Sequence, residues 1–382
     1  MAKNKNILLV AGEASGDLHG AHLIEQIKAL EPTAKFYGIG GPKMAAAGMR
    51  LDDDLTKLAV VGFVEVLKNY FTFLKIFNRA LQSIKETKPA AVILIDYPGF
   101  NLRLAKAIKK IKGLETRVIY YISPQVWAWK ENRVFDIEKY VDKMLVLFEF
   151  EKEFYAKHGI DVEFVGHPLI DTVVVDQSKE EVLRLNNLPD YNLTIGILPG
   201  SREKEIRSIL PVMLNAAKLL AQEFHQIQFL LIKAPTISKE LVSQYLQGSN
   251  LKLRVLIDNT YDAINACDLC MSTSGTATLE TAILQKPMVV IYKTSMITYA
   301  LAKMFIKIPY IGMANVVAGK QIVPECVQFG ATPKAIAHQL KSIFTNEIRV
   351  AEMKDDLLNV KRSLGGRGAS KRAAEAILTL LS

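Results

Sequence analysis

Residues 193–206 read LTIGILPGSREKEI. The apolar run LTIGIL breaks at Pro199-Gly200 and gives way to a charged, amphipathic pattern that predicts a helix over 202–222. A strand that ends in a tight turn and feeds directly into a helix is half of a βαβ unit. The same text recurs on both sides of it. Upstream the strand-like runs are NILLVAG, KFYGIGG, AAVILIDYPG, RVIYYISP, KMLVLF and VEFVGHP, and downstream QFLLIKAP, LKLRVLID, DLCMSTSG and PMVVIY. Near-continuous apolar strands alternating with helices predict an α/β chain with parallel sheets. The pattern pauses at 166–171, where a turn signal opens a polar stretch to Asn192, so two open sheets are expected. The predicted domains are 1–168, 169–345, and C-terminal helices over 346–382 that pack back on a sheet. The last helix, ASKRAAEAILTLL, is too short and too amphipathic to stand alone.

Composition narrows the partners. At 382 residues, 50% apolar and 23% charged, the chain has ample material for two cores. Its net charge of +9 favours acidic partners: a nucleotide, a phosphorylated substrate or an anionic membrane face. Aromatic residues are not interleaved with lysine and arginine, and no helix-turn-helix or zinc-finger spacing occurs, so no nucleic acid is expected. The opening MAKNKNILLVAG reads as a first strand rather than a signal peptide, which predicts a cytoplasmic protein. No uncharged apolar run reaches the roughly 20 residues of a membrane span. Cys267, Cys270 and Cys326 form no even framework, and the single CxxC runs into an apolar strand, so buried thiols are expected over zinc or redox chemistry.

In open α/β sheets ligands bind beyond the carboxyl ends of the strands, so the residues after each apolar run matter most. After the first strand comes GEASGDLHG, with Glu13, Ser15, Gly16, Asp17 and His19. Neither GxGxxG nor GxxxxGK[ST] is present. After AAVILI comes DYPGFNLR, where Asn101 reads as the helix cap and Asp96 is left as a candidate general base. SPQVWAWKENR places Trp127 and Trp129 beside Lys130 and Arg133 at a strand end, as in the floor or rim of a cleft. At LPGSR, Gly200, Ser201 and Arg202 bring backbone N–H groups, a hydroxyl and a guanidinium to one helix start, a pattern suited to phosphate. STSGTATLE, residues 272–280, repeats it with Ser272, Ser274, Gly275 and Thr276. Glu280 lies one helical turn beyond Thr276; a carboxylate there would repel phosphate and suits a pair of neutral ribose hydroxyls.

GEASGD, SPQVWAW, LPGSR, SGTATLE and NVVAGKQIVPECVQ, in this order along nearly the whole chain, resemble the lipid-A-disaccharide synthase family. The resemblance implies a GT-B fold, two Rossmann-like domains facing across a cleft with UDP mainly on the second. It implies an inverting glycosyltransferase that needs no metal or other cofactor and joins UDP-2,3-diacylglucosamine to 2,3-diacylglucosamine 1-phosphate. Asp96 matches the aspartate of the family's D-x-P-x-F-N turn and becomes the expected base, with Asp17, Glu13 and His19 as rivals. Glu13, Ser15, Gly16 and Asp17 fall on the acceptor side. Ser201, Arg202, Ser274, Gly275 and Thr276 are expected at the UDP diphosphate and Glu280 at the ribose, while Asn315, Glu325 and Gln328 are implied to contact the donor sugar or its phosphates. Asp52-Asp53-Asp54 satisfies D-x-D but precedes a helical stretch and reads as a solvated cap.

Acylated substrates require an apolar surface. Residues 58–81 place Val66, Leu67, Phe71 and Leu74 among Lys68, Lys75 and Arg79, and a second stretch, YALAKMFIKIPYIGM, is similar but shorter. Both predict peripheral contact with the cytoplasmic face of an anionic inner membrane. The competing readings are another GT-B UDP-sugar enzyme such as an epimerase, or a non-catalytic lipid- or nucleotide-binding protein of the membrane surface.

Overall fold

The computed structural model describes residues 5–56, 70–190, 192–305 and 308–382. It divides into two compact units: residues 1–168 with 364–382, and residues 169–363.

The first unit carries strands β1 (Asn6–Ala11), β2 (Lys35–Gly40), β3 (Arg50–Asp54), β4 (Ala91–Ile95), β5 (Arg117–Tyr121), β6 (Lys143–Val146) and β7 (Val162–Phe164). They form one parallel sheet in the order β3-β2-β1-β4-β5-β6-β7. The central strands β1 and β4 are almost wholly buried, which is why their sequences are unbroken apolar runs rather than alternating ones. The helix Ala14–Leu30 lies close against them because Gly16 has no Cβ. One placed there would come within 3.3 Å of Ala11 Cβ and 3.7 Å of Ile95 Cγ2. Strand order reverses between β1 and β4, so the crevice of this sheet opens where Gly12-Glu13 and Asp96-Tyr97 leave it.

The second unit carries β8 (Leu193–Leu198), β9 (Ile227–Ile232), β10 (Leu253–Leu256), β11 (Leu269–Thr273), β12 (Met288–Tyr292) and β13 (Glu325–Val327). They are parallel in the order β10-β9-β8-β11-β12-β13. The helix Glu203–Glu223 buries Ile206, Ile209, Leu210, Met213, Leu214, Ala217 and Leu220, an apolar stripe at helical spacing that covers this sheet. Order reverses between β8 and β11, which brings the LPGSR and STSGT turns together.

Strands β3, RLDDD, and β13, ECV, are additions that the sequence reading did not identify. Both are edge strands, β3 mostly acidic and β13 only three residues long, and parallel pairing to β2 and β12 defines them. The segment 346–382 does not stay in one unit. The helix Glu347–Ser363 belongs to the second, whereas Ala369–Leu381 belongs to the first and packs on Ala14–Leu30. Arg372 holds the return, its Nε donating to Val165 O at 2.8 Å, while His167 N–H donates to Leu364 O at 2.8 Å. No described helix is long and apolar enough to cross a membrane.

Candidate functional site

In the first unit the turn after β4 is built under strain. Asp96 has φ +45° and Tyr97 φ +47°, consecutive non-glycine residues in the left-handed region. Such residues cost about 1–3 kcal/mol each and persist only when their surroundings enforce them. Asn101 Nδ2 donates to Asp96 O at 2.7 Å and to Ile95 O at 3.2 Å, and the Tyr120 hydroxyl donates to Asp96 O at 2.5 Å. Asn101 is therefore not the helix cap that the sequence suggested. It lies buried inside the helix Pro98–Lys109 and stakes the turn from below. The Tyr97 ring covers Gly12, where a Cβ would lie 2.4 Å from the ring.

These constraints leave the Asp96 side chain at the switch point. Burial, then the neighbouring Glu13 carboxylate, raises its pKa from 3.8 to about 6, against a backbone hydrogen bond from Tyr97 that lowers it. Such a carboxylate is ionised at neutral pH and still basic enough to accept a proton. Glu13 and Ser15 are exposed, Glu13 near enough to act on Asp96, whereas Gly16 serves helix packing.

Asp17 is removed from the list of bases. It is 3% exposed and accepts N–H groups of Gly41 at 2.8 Å, Lys43 at 3.0 Å and Met44 at 3.0 Å, capping the short helix Pro42–Ala46. The third rival, His19, is pushed down to about 4 by burial, then by His22 and Lys43, and is the weaker base.

The SPQVWAW loop begins beside this turn, since Ile95 pairs with Tyr121 across β4 and β5. Ile122 has φ +68°, a strained value for a β-branched residue. Trp127 Nε1 donates to buried Glu151 Oε1 at 3.1 Å, and Ser123 Oγ and the Tyr155 hydroxyl lie 2.7 Å apart. Burial lifts the Glu151 carboxyl to about 7, opposed by its hydrogen bonds, Trp127 first. Trp129 stays outside the core at 40% exposure, with Lys130 Nζ 4.6 Å and Arg133 Cζ 5.3 Å from its ring centroid.

In the second unit a cavity of about 340 Å³ sits at the β8/β11 switch point, lined by Gly200, Ser201, Arg202, Ser274, Gly275, Thr276 and Glu280 among others. Glycine shapes both turns. Gly275 has φ +139° and open space where a Cβ would project, so an approaching group meets bare backbone. Gly200 has φ +115°. Ser201 N–H and Arg202 N–H donate to Glu205 Oε2 at 3.0 and 3.2 Å, and the exposed Arg202 guanidinium reaches Glu205 Oε1 at 3.1 Å. These N–H groups, expected to be free for phosphate, are thus occupied by a carboxylate from the first helical turn. The spacing R-x-x-E is the sign of half a capping box and was readable in the sequence.

Ser272 is also reassigned: it is buried in β11 and donates to Thr273 O at 3.1 Å. Ser274 Oγ donates to Ile311 O at 2.6 Å, and Thr276 is exposed at the cavity. Glu280 lines the same cavity, its pKa raised by burial against a hydrogen bond from Tyr261, whose hydroxyl is 3.4 Å from Oε1.

Asn315, Glu325 and Gln328 differ from their expected role as direct donor contacts. Asn315 is fully buried; its Nδ2 donates to Val323 O at 2.9 Å and Glu325 Oε1 at 2.8 Å, and its Oδ1 accepts Ile322 and Val323 N–H groups at 2.8 and 2.9 Å. Glu325 accepts N–H groups of Ile311 at 3.0 Å and Gly312 at 2.9 Å. Gln328 accepts Thr294 N–H at 3.1 Å and donates to Thr294 O at 3.0 Å. Asn315 and Glu325 fasten the loop that accepts the Ser274 hydroxyl, whereas Gln328 fastens the separate turn at Thr294.

The Asp52–Asp54 run lies in strand β3, and of the three only Asp54 acts in the expected capping sense, accepting the Thr56 N–H at 3.0 Å where a helical stretch begins. Asp52 pairs with Arg50 at 3.1 Å, Asp53 with Arg79 at 2.6 Å, and Asp54 accepts the Thr56 hydroxyl at 2.6 Å. Val66 and Leu67 lie outside the described residues. In the helix Tyr70–Thr87, Ile76, Ala80 and Ile84 are buried and Phe73 and Phe77 pack on the core, while Phe71 is 76% exposed and Leu74 38%. In the helix Met296–Phe305, Met296, Ile297 and Met304 are exposed. All three cysteines are free and buried.

A family model described as Lipid-A-disaccharide synthetase matches residues 7–379. Relatives named lipid-A-disaccharide synthase include those of Geobacter metallireducens, 42% identical over 380 residues, 100% of this chain and 98% of the relative, and Syntrophus aciditrophicus, 43% identical over 379 residues, 99% and 98%. Among solved structures, the UDP-GlcNAc 2-epimerase of Neisseria meningitidis bound to UDP-GlcNAc aligns with TM-score 0.63 at 17% identity, covering 98% of this chain and 100% of that one. A kitacinnamycin glycotransferase aligns with TM-score 0.64 at 14% identity, covering 100% of both. At these identities the structural likeness shows the fold, that of the GT-B glycosyltransferases and epimerases.

Proposed function

The chain belongs to the lipid-A-disaccharide synthase family, glycosyltransferases of lipid A biosynthesis, and on that premise we propose how its own residues divide the reaction. The donor is UDP-2,3-diacylglucosamine and the acceptor 2,3-diacylglucosamine 1-phosphate, whose 6-hydroxyl attacks the donor's anomeric carbon as UDP leaves, with inversion.

Asp96 takes the proton from that hydroxyl. The observation that carries the assignment is its placement at the β1/β4 switch point on two consecutive left-handed residues, with a carboxyl raised to about 6. Strain and desolvation at one side chain are unfavourable for folding, and proton abstraction is the task that uses both. Glu13 beside it favours the protonated form and so strengthens the base.

The second unit holds the donor. Backbone at Gly275, the Thr276 hydroxyl and Ser201 receive the diphosphate in the β8/β11 cavity. Arg202 leaves its surface pairing with Glu205 to meet the charge that grows on UDP. Glu280 accepts hydroxyls of the ribose. Asn315 and Glu325 act indirectly, as positioning residues for the loop behind Ser274, and Gln328 positions the turn at Thr294. Exposed Phe71 and Leu74, beside Lys75 and Arg79, meet the acyl chains at the cytoplasmic membrane surface.

The test is a mass-spectrometric turnover assay with the two diacylated sugars. Disaccharide 1-phosphate and UDP are expected in equal amounts. Consumption of UDP-GlcNAc alone would instead support an epimerase.

A further inference from the structure

We propose that Trp129, Lys130 and Arg133 form the binding site for a phosphomonoester, the 1-phosphate of the acceptor. The inference rests on the acceptor reading of the first unit given above.

Two cations share one exposed indole: Lys130 Nζ lies 4.6 Å and Arg133 Cζ 5.3 Å from the Trp129 ring centroid. Neither forms an ion pair with a carboxylate among the described residues. Glu131, between them in sequence, instead reaches His158 Nε2 at 3.6 Å. Arg133 is half-buried, and burial is the largest influence lowering its pKa. The groups facing it are Tyr120, then Arg103, a like charge that lowers it further, then Asp136. A guanidinium that gives up water beside a second cation, with Asp136 near but not in salt-bridge contact, is arranged for an anion from outside the chain.

The location fits the acceptor. The Tyr120 side chain near Arg133 donates its hydroxyl hydrogen bond to Asp96 O, so the cations and the base are anchored to neighbouring strand ends of one sheet. A phosphomonoester suits the donor set better than a carboxylate or a phosphodiester. It carries close to two negative charges, enough for both cations, and its oxygens match the guanidinium fork. The indole offers a flat apolar face on which a sugar ring can rest.

Trp127 and Trp129 are the only tryptophans in the chain, so Trp127→Phe leaves a reporter inside the site. Titration of that protein with glucosamine 1-phosphate is expected to change Trp129 emission saturably. Glucosamine should not, and Arg133→Gln in the same background should weaken the response by about 10-fold or more. In the intact enzyme, Arg133→Gln raises the acceptor KM by a similar factor and leaves the donor KM unchanged. Arg133→Lys recovers part of the loss, and an acceptor lacking its phosphate is turned over equally by wild type and Arg133→Gln. Equal titrations with and without the Arg133 side chain, or a response to phosphatidylglycerol vesicles alone, would overturn the proposal. A wild-type protein that binds glucosamine 1-phosphate through Arg133 but transfers no sugar would instead refute the acceptor reading and leave the phosphate site standing.

Discussion

The two switch points use the same topology with opposite residue chemistry. In the second unit the crevice turns are glycines, Gly200 and Gly275, which adopt φ +115° and +139° at little cost and present backbone. In the first unit the turns of β4 and β5 force Asp96, Tyr97 and Ile122 into the left-handed region. Glycine there would remove the strain and also remove the side chains. Where a site holds an anion by backbone, glycine suffices; where it must place a reactive group, the fold accepts strain to keep a side chain.

Replacing Asp96 tests this contrast most severely. Asp96→Asn is expected to lower turnover by about 10²–10⁴-fold while raising the thermal midpoint. The folded protein binds the Asp96 proton more tightly than the unfolded chain does, so stability falls as pH rises from about 4 to about 6, the span between its two pKa values. Asparagine removes that cost, on the order of 3 kcal/mol at neutral pH. Normal turnover would end the assignment, and a melted protein would make Asp96 structural. Asp17→Ala should behave in the opposite way, leaving three N–H groups unmet, two of them buried, and losing about 3 kcal/mol of stability, while the folded fraction keeps its specific activity. Calorimetry and assay of the same samples separate the two aspartates.

Smaller effects probe the donor side. Glu280→Gln should raise the donor KM by roughly 10-fold without lowering the melting temperature, since burial already disfavours its charge. A melted protein with unchanged KM would return Glu280 to a structural role. The wild-type pH profile should show kcat/KM falling below about pH 6 as Asp96 takes up its proton; a profile flat to pH 5 contradicts the base. Treatment with EDTA should change turnover least of all, and loss restored by manganese would place a metal in the reaction.

The sheets and their switch-point turns were legible because buried parallel strands write themselves as unbroken apolar runs ending in Gly, Pro or a lone polar residue. Asp96 stood out as a strand-end carboxylate without a structural task. Other roles depended on partners distant in sequence. Asp17 looked catalytic within GEASGD, yet its three N–H partners come from residues 41–44. The bonds that retire Asn315 and Gln328 as direct contacts run to neighbouring loops. Glu205 was missed although its spacing was visible, because the turn was read for what it could offer a phosphate. Trp127 and Trp129 were paired by sequence, but only their surroundings separate an indole tied to Glu151 from one left open to solvent between two cations.

The return of Ala369–Leu381 to the first unit sets a schedule for biosynthesis. The second unit is one continuous stretch and can complete its fold as it leaves the ribosome, whereas the first unit, although begun earlier, lacks its last helix until about 200 further residues are made. At about 5–20 residues per second that interval is roughly 10–40 s, during which the face of Ala14–Leu30 that receives this helix is uncovered. The part of the chain synthesised first is thus the last to be finished.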